Sequence, residues 1–171
     1  MPLGEDDLLA RLDALAIPHE TVAHDPVFTV EESQTLRGQL GGAHVKNLFL
    51  RDKKKRLWLV TVLEDRQVDL KALKKRLGAQ GSLSFGDADL LMAVCGVIPG
   101  AVTPFAILND VDKRLSVVLD AGIFDHDHVN AHPLRNDKTT RIPAQDLKRF
   151  VAAEGYDAEI VDFGAPLAPE S

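Results

Sequence analysis

The stretch Leu57-Trp-Leu-Val-Thr-Val-Leu63 limits what this chain can become more than any other part of it. It is β-prone and almost wholly apolar, with Thr61 as its single polar residue. A strand that does not alternate apolar with polar has both faces covered. It must therefore lie near the centre of a sheet with packing on either side. Just upstream, Val45 to Arg51 is a second β-prone run, and the polar turn Asp52-Lys-Lys-Lys-Arg56 joins the two as a hairpin.

The covering layers are also legible. Leu8, Leu9, Leu12 and Leu15 recur at helical spacing and predict an amphipathic helix over residues 5–16, ending before Pro18. Thr29-Val-Glu-Glu32 is a capping box for a helix over 30–37, stopped by Gly38 and then Gly41-Gly42. Residues 69–77 form a helix with Leu70, Leu73 and Leu77 inward, and Gly78 stands where a C-terminal cap glycine belongs. Residues 87–94 form another, and Pro143 suits the first turn of a helix running to Ala153. Further strands are expected at 19–23, 105–108, 115–119, 129–134, 139–142 and 156–163. The strands outnumber a simple alternating pattern, and several are hairpin-linked. The expected fold is thus a mixed α/β domain with a curved, largely antiparallel central sheet surrounded by helices, and it is not doubly wound. One domain is expected over residues 1–163, with 164–171 as a flexible tail.

At 171 residues with 45% hydrophobic content, the chain is long enough to bury a proper core. It has no apolar run of the ~20 residues that cross a bilayer, an acidic N-terminal stretch and a single cysteine. These features predict a cytoplasmic protein without disulfides or membrane contact. The net charge of −6 argues against a protein that coats nucleic acid. Yet the cations cluster: Arg51, Lys53, Lys54, Lys55 and Arg56 form one group, and Lys71, Lys74, Lys75 and Arg76 another. A basic face on an acidic protein can hold a short stretch of phosphate backbone, although both clusters also read as solvated surface.

The search for chemistry begins by elimination. His126-Asp-His128, with His132 four residues on, lacks the cysteine pairs or H-E-x-x-H spacing of common zinc sites and reads as a polar turn, so no metal is expected. Cys95 ends an apolar helix, the wrong end for thiolate activation, and reads as core. The glycines at 38, 41 and 42 lack the spacing of a nucleotide-binding loop. Three features remain. Lys46-Asn47 opens a strand after Gly41-Gly-Ala-His44 and can hold a phosphate and a carbonyl, or be an edge-strand lysine. Pro99-Gly100-Ala-Val-Thr-Pro104 predicts a type II turn at which a glycine lets backbone approach a small substrate, or is simply a tight loop. Asn130-Ala-His132-Pro-Leu-Arg-Asn-Asp137 packs several hydrogen-bonding side chains between apolar runs.

Taken in order, these segments resemble the YbaK/prolyl-tRNA editing-domain family, in particular its free-standing branch that deacylates Ala-tRNA(Pro). The resemblance is carried by His24-Asp-Pro-Val-Phe-Thr-Val-Glu-Glu32, Gly41-Gly-Ala-His-Val-Lys-Asn-Leu-Phe-Leu50, Leu83-Ser-Phe85, Gly96 to Phe105 and Val129 to Asn136. It implies hydrolysis of the ester between an amino acid and the terminal adenosine of tRNA, with no metal or organic cofactor. It assigns the family lysine to Lys46, the loop glycine to Gly100 with Pro104 closing the loop, and the later histidine to His132. Lys46 would clamp the phosphate of the terminal adenosine as a point charge. Gly100 would offer backbone groups to the ester or the attacking water. Asn47, Asn130, His44 and Val30 are the expected positioning or wall residues. The implied partners are the acceptor end of tRNA(Pro) and prolyl-tRNA synthetase. Ala43, Val45 and Ala131 depart from the family pattern and bear on pocket volume, so alanine, serine and cysteine stay open as the amino acid removed. A catalytically silent tRNA- or synthetase-binding module is the alternative from another class.

Overall fold

The computed structural model describes residues 2–24 and 41–164. Helix α1 spans Glu5–Ala14 and β1 spans Glu20–Ala23; after the undescribed stretch come β2 (Ala43–Arg51) and β3 (Leu57–Leu63). Then follow α2 (Leu70–Leu77), β4 (Ser84–Phe85), α3 (Ala88–Cys95), a 3-10 helix at Pro104–Asn109 and β5 (Leu115–Asp120). A second 3-10 turn (Ala121–Asp125) leads to β6 (His128–Ala131), β7 (Lys138–Pro143), α4 (Ala144–Ala153) and β8 (Glu159–Val161). The sheet order is β1-β7-β6-β2-β3-β5-β8, with β4 added to β2.

The hairpin read from the sequence sits at the centre. β2 and β3 pair antiparallel from Val45↔Leu63 to Arg51↔Leu57. Along β3, Leu57 and Leu59 enter one core with α1, α3 and α4, while Trp58, Val60 and Val62 enter a second with Leu73 of α2. This alternation between two cores is why the strand carries no polar face. The sheet is mixed: four ladders are antiparallel, whereas β2–β6, β3–β5 and β5–β8 run parallel. Among the described residues no helix is long and apolar enough to cross a membrane.

Several boundaries differ from expectation for identifiable reasons. Residues 105–108 form a 3-10 helix instead of a strand. Pro104 starts it, the Thr103 hydroxyl accepts from the Phe105 amide, and Phe105 to Leu108 are all buried. A short, wholly buried apolar run carries no periodicity to tell the two apart. β6 stops at Ala131, before Pro133 and a Leu134 with φ of 69°. β8 covers only Glu159–Val161, because Tyr156 is drawn aside to hydrogen-bond the Asp110 carboxylate at 2.7 Å. The first helix closes at Ala14, where Ala16 turns to φ 56°. Pro143 precedes the first turn of α4 as its N-cap. The 29–32 capping box, the helix at 30–37 and the tail beyond Gly164 lie outside the described residues.

Candidate active site

The sheet has a gap, and the gap makes the site. One edge of β2 pairs with β6 only at Ala43 and His44, and with β4 only at Leu50 and Arg51. Between them, residues 45–49 have no strand neighbour on that edge among the described residues. The carbonyls of Ala43 and Phe49 face this edge, accepting from Asn130 Nδ2 at 3.0 Å and from the Gly86 amide at 3.0 Å. Strand alternation then turns the backbone groups of Val45 and Asn47 the same way. A cavity of about 430 Å³ opens there, bordered by Lys46, Asn47, Phe85, Gly100, Val102 and His132 among others.

Asn47 holds one wall in place. Its Nδ2 donates to the Val102 carbonyl at 3.1 Å, and its Oδ1 accepts from the Thr61 hydroxyl at 2.6 Å. The single polar residue of the apolar strand is thus explained: Thr61, fully buried, fixes the asparagine that fixes the 100–104 loop. Sequence reasoning passed over Thr61, although a lone threonine in the middle of an apolar strand was the available signal.

Gly100 sits in the turn closed by the Ala101 amide donating to the Ile98 carbonyl at 3.0 Å. Gly100 is not among the positive-φ residues, so the turn is not type II as expected, since that type needs positive φ at this position. Space around it is close but not closed: an added Cβ would lie 3.3 Å from Asn136 Nδ2, the end of a side chain. Asn136 thereby joins the site as a second neighbour that the sequence reading left unassigned.

His132 follows β6, half-buried at the cavity wall. Its Nδ1 lies 2.8 Å from the Lys138 carbonyl. A carbonyl can only accept, so Nδ1 carries the proton, and the neutral ring keeps a lone pair on Nε2. Burial lowers its pKa, helped by the nearby His24 and opposed by the Lys138 carbonyl and Asp137. His24 stands with its ring centroid 6.2 Å away and its Nε2 2.7 Å from the Thr139 hydroxyl. His132 is therefore built as a neutral acceptor.

Lys46 borders the cavity and donates to the Arg66 carbonyl. Arg66 is itself anchored on Asp120 at 3.0 Å. A lysine ammonium has three donors, so this contact does not exhaust it. Three other expected residues lie outside the cavity lining. Pro104 is buried at the start of the 3-10 helix and does not border the cavity. Asn130 is buried and donates to the carbonyls of Gly41 and Ala43, fixing the start of β2. His44 lies on β2 opposite Asn130, outside the cavity lining. Val30 lies outside the described residues.

Away from the cavity, His126 caps the second 3-10 turn and His128 opens β6. Cys95 is buried at the end of α3, and burial, with the Asp110 charge, pushes its thiol up to about 12, which rules it out as a nucleophile near neutral pH. The two basic clusters meet. Asp52 accepts from the Gln80 amide at 3.0 Å and from Arg56 Nε at 3.0 Å, docking the β2–β3 turn against the segment after α2. Burial raises the Asp52 carboxyl, but these donors outweigh it and bring it down to about 2.

A family model described as aminoacyl-tRNA editing domain matches residues 24–150. A mouse protein named prolyl-tRNA synthetase associated domain-containing protein 1 is 43% identical over 161 residues, covering 92% of this chain and 95% of its own. The prolyl-tRNA editing protein ProX of Acetoanaerobium sticklandii is 38% identical over 156 residues, covering 91% and 94%. A solved structure described as a candidate trans-editing enzyme for prolyl tRNA synthetase superposes with a TM-score of 0.70 at 18% identity, over 92% of this chain and 94% of the other.

Proposed function

Because this chain belongs to the aminoacyl-tRNA editing domain family, we propose that it acts in trans as a deacylase on mischarged tRNA(Pro), with alanine as the principal amino acid removed. The observation that carries the reading is the gap in the sheet, where Lys46, Asn47, Gly100 and His132 border one cavity. The name of the ProX relative supports the prolyl-tRNA substrate. The names of the synthetase-associated relatives support prolyl-tRNA synthetase as a partner.

The chemistry asks little of the protein. An aminoacyl ester is already activated, so positioning water and stabilising the developing oxyanion suffice. Water adds to the ester carbonyl carbon, and the bond from that carbon to the ribose oxygen breaks. The proton from water passes to the departing ribose oxygen, with the neighbouring 2′-hydroxyl as the relay that the family resemblance implies. Free amino acid and tRNA are the products. Lys46 holds the terminal phosphate. The backbone at Gly100, open because no side chain stands there, receives the ester. His132 Nε2 accepts a hydrogen bond from the substrate amine or hydroxyl. None of these steps draws on a metal or an organic cofactor.

At about 430 Å³ the cavity is near the lower end of the ~300–1,000 Å³ usual for ligand pockets. It must hold the terminal adenosine as well as the amino acid, which leaves a small aminoacyl subsite. Excluding the larger proline ring is sterically simple, whereas one added hydroxyl is poorly rejected. Alanine therefore leaves fastest, and serine leaks. The test is the deacylation rate of tRNA(Pro) charged separately with alanine, serine, cysteine and proline. Alanine fastest and proline spared is the expected order. Cysteine or serine fastest would move the assignment to that amino acid.

A further inference from the structure

The edge strand that completes the cavity also leads out of it. Ser84–Phe85 is β4, and Phe85 and Gly86 border the cavity. The two residues before it, Ser82 and Leu83, line a second groove of about 570 Å³, whose other wall is Leu70, Lys71, Lys74 and Lys75 of α2. One five-residue segment, 82–86, therefore borders both hollows. At ~3.3 Å per residue the path from Ser82 to Gly86 is roughly 13 Å.

Charge is sorted along this path. Leu73 faces the core, which turns the lysines of α2 outward. Arg76 is taken by Glu159 at 3.2 Å, whereas Lys71, Lys74 and Lys75 have no carboxylate partner among the described residues. The other basic turn arrives beside them, where Lys53 packs so closely on Gly81 that an added Cβ there would lie 2.6 Å from Lys53 Cβ. Between the lysines and the cavity, Phe85 leaves 60% of its surface in water. Its position is held from behind: the Gly86 amide donates to the Phe49 carbonyl at 3.0 Å, and no side chain fits at Gly86, where a Cβ would lie 2.3 Å from the Phe49 ring.

An exposed aromatic ring followed by a cationic groove is the arrangement that single-stranded nucleic acid selects, the ring stacking a base and the lysines tracking phosphates. We propose that Phe85 and the groove of Lys71, Lys74 and Lys75 bind the single-stranded 3′ end of the tRNA, with a base stacked on Phe85 and the adjoining phosphates along α2. This rests on the tRNA reading above and adds to it the path by which the strand reaches the cavity.

Binding of uncharged tRNA(Pro), followed by fluorescence anisotropy across a salt series, tests it independently of hydrolysis. Phe85→Ala is expected to weaken binding roughly 5- to 100-fold at every salt concentration, with Phe85→Trp restoring it. The triple change Lys71→Gln, Lys74→Gln, Lys75→Gln is expected to flatten the log–log salt slope by about 2, at ~0.7 per single-strand phosphate contact. A tRNA trimmed of its 3′-terminal single strand should bind wild type weakly and ignore Phe85→Ala. All these residues but Lys74 are exposed, and unchanged melting temperatures would certify the folds. If wild type deacylates but binding of uncharged tRNA is indifferent to both variants, this inference is overturned and the hydrolase reading survives. If binding responds as stated while no ester is cleaved, the path stands and the hydrolase reading falls.

Discussion

Thr61 offers the sharpest test of how the fold positions the site. Thr61→Val keeps the shape and removes the hydroxyl that donates to Asn47 Oδ1 at 2.6 Å. A lost hydrogen bond that strands a buried acceptor costs ~1–3 kcal/mol. Asn47 borders the cavity, so water can reach the stranded oxygen, and the lower part of that range applies, about 1–2 kcal/mol. For a domain of this size, that lowers the melting temperature by about 2–8 °C. The catalytic effect is larger in proportion. Asn47 also holds Val102 at 3.1 Å, so a freed amide lets the 100–104 loop drift, and misplacement near 1 Å costs up to ~100-fold in rate. Thermal melting and single-turnover deacylation of Ala-tRNA(Pro) measure the two effects separately. Thr61→Ser, which keeps the hydroxyl and loses a methyl, should lose stability but retain most of the rate. The reasoning is refuted if Thr61→Val matches wild type in both assays, or if Thr61→Ser loses the rate as fully as Thr61→Val.

Lys46→Ala should fold normally by circular dichroism and lose deacylation by more than tenfold; full activity would remove Lys46 from the site. Gly100→Ala should remain folded, since φ is no obstacle there and the new Cβ meets only Asn136 Nδ2 at 3.3 Å, but it should slow hydrolysis because the methyl group enters the reaction space. For His132, the folded pKa is lowered below the ordinary 6.5. Its neutral form therefore contributes stability that is complete above pH 6.5 and is lost as pH falls through the folded value, where the unfolded chain binds the extra proton. Melting temperature against pH should fall on the acid side of 6.5, and His132→Gln should shrink that fall. Asp52 works in the same direction at lower pH: its contribution is present above 3.8 and lost as pH drops towards about 2, a transition that Asp52→Asn should remove.

How much of this was legible depended on whether a feature was local. The β2–β3 hairpin, the α2 cap at Gly78 and the α3 helix follow from patterns a few residues long, and they stand where expected. The parallel pairings of β2 with β6 and β3 with β5 join segments tens of residues apart, and no local pattern encodes them. The same distinction governs the site. Lys46, Gly100 and His132 could be named from the family resemblance, and the structure gathers them at one cavity. Pro104 came with Gly100 from the same resemblance, and Asn130 and His44 were expected as positioning residues, yet none of the three borders the cavity. Thr61 and Asn136 reach the site only through tertiary contacts. The gap in the sheet itself arises because β6 and β4 each cover only one end of β2.

The most direct measurement of the central claim is alanine release from Ala-tRNA(Pro) with the protein at one-hundredth of the substrate concentration, chelator present throughout. The account predicts that all the ester is consumed over many turnovers while Pro-tRNA(Pro) survives the same incubation. Persistence of the Ala-tRNA(Pro) ester at the uncatalysed rate, with the protein folded and bound to it, would contradict the account and make this chain a binding module.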